Sequence, residues 1–255
     1  MPFIDVKGLK TFYESKGRGK PLLLIHGAGG SSGYWGVQLS KLSRNFMVIA
    51  IDLPGHGKSD HLKERASIQQ YAEHVAVFMK QVRLDRAFVL GHSMGGAVAQ
   101  ELAIERPELV EKLIIVDSGA RFPGQGGFAD RVRSQGAEFG IQILNMLLSE
   151  KTVSDQKKMA FVMKHLMQSP SFDINILADD FQAVAGVDLG KRLSEIAAPT
   201  LIIHGADDLL PLSMAQFLQQ SIKGSKLEVI SDSGHMPMLE QPEKFNEAIL
   251  KFLRG

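Results

Sequence analysis

A serine between two glycines ends one of the apolar runs of this sequence. The stretch reads FVLGHSMGG, with Ser93 between Gly91 and Gly95, and a helical pattern follows it. A G-x-S-x-G segment between a buried strand and a helix is typical of a sharp turn that presents a serine as a nucleophile. Glycines are needed there because side chains would collide with the neighbouring strand and helix. The helix start after Ser93 would also bring backbone N–H groups close to a developing oxyanion.

A serine hydroxyl is a weak nucleophile at neutral pH and needs a base beside it. Of the eight histidines, His235 is best placed, because its loop follows the last strand pattern and loops at the carboxyl ends of strands converge on a site. His204 ends an apolar run, and we interpret it as a buried, hydrogen-bonded histidine. The acid that orients the base should lie between serine and histidine in this chain order. LIIHGADDLLP offers Asp207 and Asp208, and spacing alone leaves both open.

Short apolar runs alternate with helical patterns along the chain. The strand-like runs are PFIDV, LKTFYES, PLLLIHG, FMVIAIDLPG, RAFVLGHS, KLIIVDSG, APTLIIHG and SKLEVIS. Helical patterns are expected over residues 31–42, 68–82, 95–106 and 213–221 and in the closing QPEKFNEAILKFL. The first two runs flank Lys7-Gly8 and favour a hairpin. The alternation predicts an α/β fold with a doubly wound, mostly parallel sheet.

Residues 120–191 break this alternation and divide the chain. Apolar residues recur there at helical spacing, and no convincing strand pattern is present. We expect three or four inserted helices over 120–191 and a core built from residues 1–119 and 192–255. Phe122, Phe128 and Phe139 would pack inside the insertion, whereas methionines such as Met163 and Met167 would suit a deformable apolar pocket.

Composition narrows the classes of partner and cofactor. The 29 basic and 28 acidic residues give a net charge of +1, which offers no footprint for nucleic acid or an anionic membrane. There is no cysteine, no signal-peptide pattern at the N-terminus and no apolar run near the roughly 20 residues that span a bilayer. We therefore expect a cytoplasmic protein, a monomer or small homo-oligomer, with a small-molecule partner. No pattern for a cofactor is present, and no His, Asp and Glu cluster has metal-binding spacing.

Five segments together resemble the α/β-hydrolase superfamily over nearly the whole chain. They are HGAGGSSGYW, DLPGHGKSD, GHSMGG, PTLIIHGADDLLP and SGHMPMLEQPEKF, in the family's order and spacing. The resemblance implies the α/β-hydrolase fold, with the insertion as a helical cap. It favours Asp208 over Asp207 as the acid. It also implies an oxyanion hole made by the backbone N–H groups of Ala28 and Met94.

The segments around these residues suggest substrate contacts. The candidates are Gly27, Gly29, Trp35, His92, Leu209 and Met236. Trp35, together with Tyr34, could line an acyl pocket, and the alternative is an aromatic residue that only braces the loop.

The predicted activity is hydrolysis of carboxylic esters with small to medium apolar acyl groups through a Ser93–His235–Asp208 triad. The serine argues against dehalogenase and epoxide hydrolase activity, because such relatives use an aspartate at this turn. A carbon–carbon bond hydrolase is an alternative, although those relatives commonly have Trp after the histidine where this chain has Met236. Lactonase, thioesterase and perhydrolase activities use the same triad. A small-molecule receptor with vestigial hydrolysis is a further alternative of a different class.

Overall fold

Eight strands form one sheet in the computed structural model, which describes residues 3–62, 64–122, 125–166 and 173–255. The strand order is β1-β2-β4-β3-β5-β6-β7-β8. The strands are β1 Phe3–Val6, β2 Leu9–Lys16, β3 Pro21–Ile25, β4 Met47–Ile51, β5 Ala87–His92, β6 Val110–Val116, β7 Thr200–Gly205 and β8 Lys226–Ile230. β1 and β2 form the expected antiparallel hairpin, β2 runs antiparallel to β4, and the other pairs are parallel. The predicted mostly parallel sheet is confirmed.

Helices follow most of the strands. They are α1 Gly36–Leu42, α2 Ile68–Gln81, α3 Met94–Glu105, α4 Gln125–Leu147, α5 Glu150–Ser154, α6 Gln156–Leu166, α7 Ile174–Ala185, α8 Leu212–Ser221, α9 Pro237–Glu240 and α10 Pro242–Arg254. Among the described residues, every helix falls short of the length and apolar character needed to cross a membrane.

The sheet is buried on both faces because its side chains alternate. In β3, Leu23 and Ile25 pack in a core with residues of α2, α3 and α8. Leu22 and Leu24 point the other way, into a core with residues of α1 and α10. Continuous apolar strands are therefore what this doubly wound arrangement requires.

The connections leave a crevice between β3 and β5. The chain passes from β3 through α1 to β4 on one side of β3, then through α2 to β5 on the other side. Such a switch point separates the loops that follow the two strands and is where ligands bind in open α/β sheets. The loop after β3 carries residues 26–31, and Ser93 directly follows β5.

The insertion between β6 and β7 contains α4 to α7. α4 is kinked at Gly136, whose φ of +62° is left-handed and favours glycine. α4 and α7 pack against each other over the carboxyl ends of the strands. All four helices lie within the predicted cap range 120–191; Met167 lies outside the described residues.

Candidate active site

Ser93 occupies a strained turn between β5 and α3. Its φ of 53° and ψ of −118° are unfavourable for a residue other than glycine. A Cβ on Gly91 would overlap the Gly95 carbonyl, and a Cβ on Gly95 would overlap the carbonyl oxygens of Ile25 and His26. The predicted reason for the two flanking glycines is confirmed.

β6 holds this turn in place. The Ser93 amide donates to the Val116 carbonyl at 2.9 Å, and the Ser118 hydroxyl donates to the Ser93 carbonyl at 2.7 Å. The backbone of the serine is therefore fixed on both sides of its side chain.

His235 and Asp208 form a buried pair beside the serine. Asp208 Oδ1 lies 2.8 Å from His235 Nδ1, whereas the neighbouring Asp207 is exposed. Burial alone would raise the pKa of Asp208, but the charge of His235 and hydrogen bonds to His235 and Asp117 lower it to about 2. An ionised acceptor at Nδ1 keeps the proton on that nitrogen and leaves Nε2 as the base. The structure thus brings Asp208, and not Asp207, to the histidine.

Ser93 and His235 line one cavity. Among the described residues no hydrogen bond joins Ser93 Oγ to the imidazole, and such bonds are often long until substrate is bound. The residues expected to act as nucleophile, base and acid therefore meet at the carboxyl ends of β5, β7 and β8.

Two backbone amides lie beside the serine in positions suited to an oxyanion. Met94 is the first residue of α3, where an amide has no acceptor within the helix. The Ala28 amide has no hydrogen-bond acceptor in the described part of the chain. Both residues line the cavity that holds Ser93. Their N–H groups can therefore receive a negative oxygen without breaking an existing bond.

His92 contacts the main chain of His235. Its Nε2 donates to the His235 carbonyl at 2.7 Å. Burial and the charge of His235 lower the pKa of His92 to about 3. His92 is therefore neutral at physiological pH and holds the main chain of His235, the candidate base.

Glu240, which the sequence reasoning did not single out, holds the His235 loop. One carboxylate oxygen accepts from the amides of Gly234 at 2.8 Å and Met236 at 3.3 Å, and the other accepts from Ser149 at 2.8 Å. The only signal in the sequence is its place five residues after His235, within SGHMPMLEQPEKF.

Asp208 also belongs to a cluster with Asp117 and His204, whose side chains are all buried. Their potential ligand atoms lie within 4.8 Å of one another, although no metal-binding spacing in the sequence indicated such a group. Spacing in sequence could not reveal it, because the residues follow or end two different strands. His204 is buried and hydrogen-bonded to the Leu210 backbone, as expected. Its Nδ1 lies 3.4 Å from Asp117 Oδ1 and makes no hydrogen bond in the described part of the chain.

The two carboxyl groups of this cluster differ in their hydrogen bonds and in the direction of their pKa shifts. Asp117 Oδ1 already accepts from the Gly205 amide at 2.8 Å, and Asp208 Oδ1 is occupied by His235. Burial and the charge of Asp208 raise the pKa of Asp117 well above its usual range. This shift favours the protonated form of Asp117, which can donate to the ionised Asp208.

The cavity over Ser93 has a volume of about 490 Å³. Its wall consists mainly of apolar side chains from the insertion and from the loops after β7 and β8, namely Phe122, Phe128, Ile141, Ile143, Leu144, Leu147, Met163, Leu166, Leu177, Phe181, Val184, Leu209, Leu210 and Met236. No Lys, Arg, Asp or Glu is among the described residues of this wall. Phe122 and Phe128 thus line the cavity, and only Phe139 is confined to the interior of the cap as expected.

One expected substrate contact is wrong. Trp35 is fully buried in the core below the sheet, because the short 3-10 helix over residues Ser32–Trp35 turns its ring inwards. The preceding Tyr34 lines the cavity instead. The other five candidates, Gly27, Gly29, His92, Leu209 and Met236, are all in the cavity wall.

The comparisons with known proteins agree with this architecture. A family model described as the alpha/beta hydrolase fold matches residues 20–242. A pimeloyl-[acyl-carrier protein] methyl ester esterase of Vibrio vulnificus is 28% identical, over 94% of this chain and 96% of its own length.

Two solved structures extend the comparison. A thermophilic esterase from Thermogutta terrifontis has a TM-score of 0.89 at 27% identity and covers 99% of this chain and 96% of its own. A structure described as an N-acyl homoserine lactone degrading enzyme has a TM-score of 0.87 at 32% identity, over 98% of this chain and 100% of its own.

Proposed function

Because the chain belongs to the alpha/beta hydrolase family, we propose that it is a serine hydrolase that cleaves carboxylic esters of small to medium apolar acyl groups. The observation that carries the proposal is the meeting of Ser93, the His235–Asp208 pair and two free amides at one apolar cavity.

Acylation begins when Ser93 Oγ attacks the acyl carbon and His235 Nε2 takes the hydroxyl proton. The carbonyl oxygen becomes an oxyanion, which the N–H groups of Ala28 and Met94 stabilise. Asp208 keeps the imidazolium oriented through Nδ1. The tetrahedral intermediate then expels the alcohol, which receives the proton from His235, and leaves an ester on Ser93.

Deacylation repeats these steps with water. His235 removes a proton from a water molecule that attacks the acyl-enzyme, and the same amides hold the second oxyanion. Ser93 Oγ leaves and recovers its proton from His235, which releases the carboxylic acid. Neither half of the cycle uses a metal or organic cofactor.

The cavity wall supports a neutral, apolar substrate. A carboxylate or ammonium group on the substrate would lose water in this cavity without gaining a charged partner in the described wall, and that loss is costly. A cavity of about 490 Å³ must also hold both acyl and alcohol portions. We therefore expect short and medium acyl chains to be preferred.

Multiple-turnover hydrolysis of p-nitrophenyl esters from acetate to laurate tests this proposal. We expect an optimum between butyrate and octanoate and no turnover by Ser93→Ala. An anionic hemisuccinate ester should be hydrolysed at least about tenfold more slowly than butyrate, because its charge is desolvated without a partner. Retention of a ligand with very few turnovers would contradict the esterase proposal and favour a receptor.

Lactone hydrolysis is the second candidate. It is supported by the similarity to the structure described as an N-acyl homoserine lactone degrading enzyme, which is 32% identical to this chain. The same steps would open a lactone, except that the leaving alcohol stays attached to the acyl group. N-Acyl homoserine lactones of graded chain length, assayed beside the p-nitrophenyl series, distinguish the two. A kcat/KM for lactones well above that for every linear ester would make lactones the preferred class.

A further inference from the structure

The cap helix α7 places a carboxylate against the loop that carries the oxyanion donor Ala28. Asp180 is fully buried. It accepts hydrogen bonds from the Gly29 amide at 2.8 Å, from His56 Nε2 at 2.7 Å and from the Tyr71 hydroxyl at 3.0 Å. The partners belong to the loop after β3, the loop after β4 and helix α2. One cap residue thus joins three parts of the core at the edge of the site.

The charge of Asp180 is balanced inside the protein. His56 has an acceptor at each ring nitrogen, since its Nδ1 lies 3.1 Å from the Pro54 carbonyl and its Nε2 faces Asp180. Only the doubly protonated imidazolium can donate to both. A buried carboxylate paired in this way is costly to disrupt, because removing one partner leaves the other charge unpaired.

The contact between Asp180 and the Gly29 amide helps to fix the backbone on both sides of Ala28. The Gly27 carbonyl belongs to the same peptide unit as the Ala28 amide, and it accepts from His26 Nδ1 at 2.8 Å and from the Gly30 amide at 3.1 Å. The next peptide unit contains the Gly29 amide, which Asp180 holds. Both peptide planes around the Ala28 Cα are therefore fixed, and the second depends on a residue of the cap.

A second contact ties the cap to the base. The His235 amide donates to the carbonyl of Leu147, the last residue of α4, at 2.7 Å. α4 packs on α7. This pair of helices therefore contacts both the loop that carries Ala28, through α7, and the loop that carries His235, through α4.

We propose that Asp180 is a positioning residue for catalysis, through which the cap fixes the direction of the Ala28 N–H, in addition to covering the substrate. The inference rests on the proposed hydrolase function. It predicts that loss of Asp180 lowers transition-state stabilisation more than substrate binding, because the oxyanion exists only after attack.

Four variants of the full chain test the proposal. Asp180→Ala removes all three hydrogen bonds. Asp180→Asn can keep them, with its amide oxygen accepting from Gly29 and His56 and its NH₂ group donating to the Tyr71 oxygen. Tyr71→Phe removes one bond but leaves the Gly29 contact. Asp179→Ala is the matched control, since this neighbour pairs at the surface with Arg65 and Arg133.

The first readout is kcat and KM with the best p-nitrophenyl ester. Asp180→Ala should lower kcat about 10- to 100-fold and change KM less than about threefold, as expected for a misdirected oxyanion donor. Asp180→Asn should recover kcat to within about fivefold of wild type, and Tyr71→Phe and Asp179→Ala should keep it, since the Gly29 contact remains. A folded Asp180→Ala variant with unchanged kcat would overturn the proposal, as would an equal loss in Tyr71→Phe.

The second readout does not depend on activity. In the segment 26–30, hydrogen–deuterium exchange of the bonded amides of Gly29 and Gly30 should be slow in wild type and fast in Asp180→Ala, while β3 stays protected in both. Equal exchange of this segment in the two proteins would overturn the proposal even if no ester is hydrolysed. Absence of turnover in wild type would instead overturn the proposed function. If Asp180→Ala does not fold, the same comparisons are made with Asp180→Asn and Tyr71→Phe, in which exchange of the Gly29 and Gly30 amides must stay slow; fast exchange in both would overturn the proposal.

Discussion

Two adjacent aspartates follow β7, and at the scale of single residues they give the sharpest contrast in the site. Asp208 contacts His235 at 2.8 Å, whereas Asp207 is exposed to solvent. We predict that Asp208→Asn lowers kcat by about 10⁴-fold, because an amide can favour the wrong imidazole tautomer. Asp207→Asn, its matched control, should stay within about twofold of wild type, as is usual for an exposed substitution.

Steady-state kinetics on the two purified variants check this prediction. Circular dichroism and thermal melts should first establish that both are folded. If kcat fell more in Asp207→Asn than in Asp208→Asn, Asp207 and not Asp208 would be the acid.

Asp208, Trp35 and Glu240 illustrate how far sequence reasoning reaches at this scale. Chain order and strand ends narrowed the acid to two residues, but only the resemblance chose between them. Trp35 was misplaced because the pattern of a loop does not specify which of two neighbouring aromatic residues turns inwards. Glu240 was missed because its role consists of bonds to amides, which leave no mark in the spacing of side chains.

At the scale of elements, helix α9 holds the loop that carries His235. Glu240 in α9 accepts from three amides, two of them on either side of His235. We predict that Glu240→Gln destabilises the fold by about 1 to 3 kcal/mol, because the new NH₂ group faces an amide donor and leaves buried groups unsatisfied. The substitution should also lower kcat, because the loop on either side of His235 would be held less firmly.

Urea unfolding and steady-state kinetics check this prediction, with Glu243→Gln as control. Glu243 is exposed in the first turn of α10. Equal behaviour of the two variants would show that Glu240 does not hold the loop.

The β5–α3 turn depends on glycine for close packing. A Cβ on Gly95 would overlap backbone carbonyls of the neighbouring strand end, whereas a Cβ on Gly127 in α4 would meet nothing within 4 Å. We predict that Gly95→Ala abolishes activity and lowers stability by more than about 3 kcal/mol, as a severe backbone clash does. Gly127→Ala should keep activity and add up to about 1 kcal/mol of stability.

Thermal melts and ester hydrolysis of both variants provide the measurement. Wild-type activity in Gly95→Ala would mean that α3 does not pack against the end of β3 as closely as described.

At the scale of the whole molecule, buried histidines link stability to pH. Burial lowers the pKa of His26, His74, His92 and His204, to about 4 for His74 and about 3 for His92. In the unfolded chain histidines titrate near 6.5. Below that pH the unfolded state binds more protons than the native state, so stability present above pH 6.5 is lost as the pH falls. His56 acts in the opposite direction, because the charge and hydrogen bond of Asp180 outweigh burial and raise its pKa.

His74 allows a test away from the site, since it contacts Thr11 between α2 and β2. We predict that His74→Gln, which cannot take up a proton, loses about 1 to 3 kcal/mol less stability than wild type between pH 7 and pH 4. Urea unfolding at the two pH values measures the difference. An unchanged pH dependence would show that His74 is not the buried neutral group described.

The fold was predictable at this scale because its signals are local. Apolar runs such as PLLLIHG are strands buried on both faces, and the helical periodicity over residues 120–191 matches α4 to α7. The contacts between cap and core were not predictable. Asp180 and Gly29 are 151 positions apart, and neither residue type nor spacing marks such a pair.

The most direct test of the central claim, that Ser93 is an activated nucleophile, is covalent labelling with an alkyl fluorophosphonate followed by peptide mass mapping. We predict one adduct per chain, located on Ser93, with none in Ser93→Ala and slow labelling in His235→Ala. A wild-type chain that stays unlabelled, or that carries the adduct on another residue, would contradict the account.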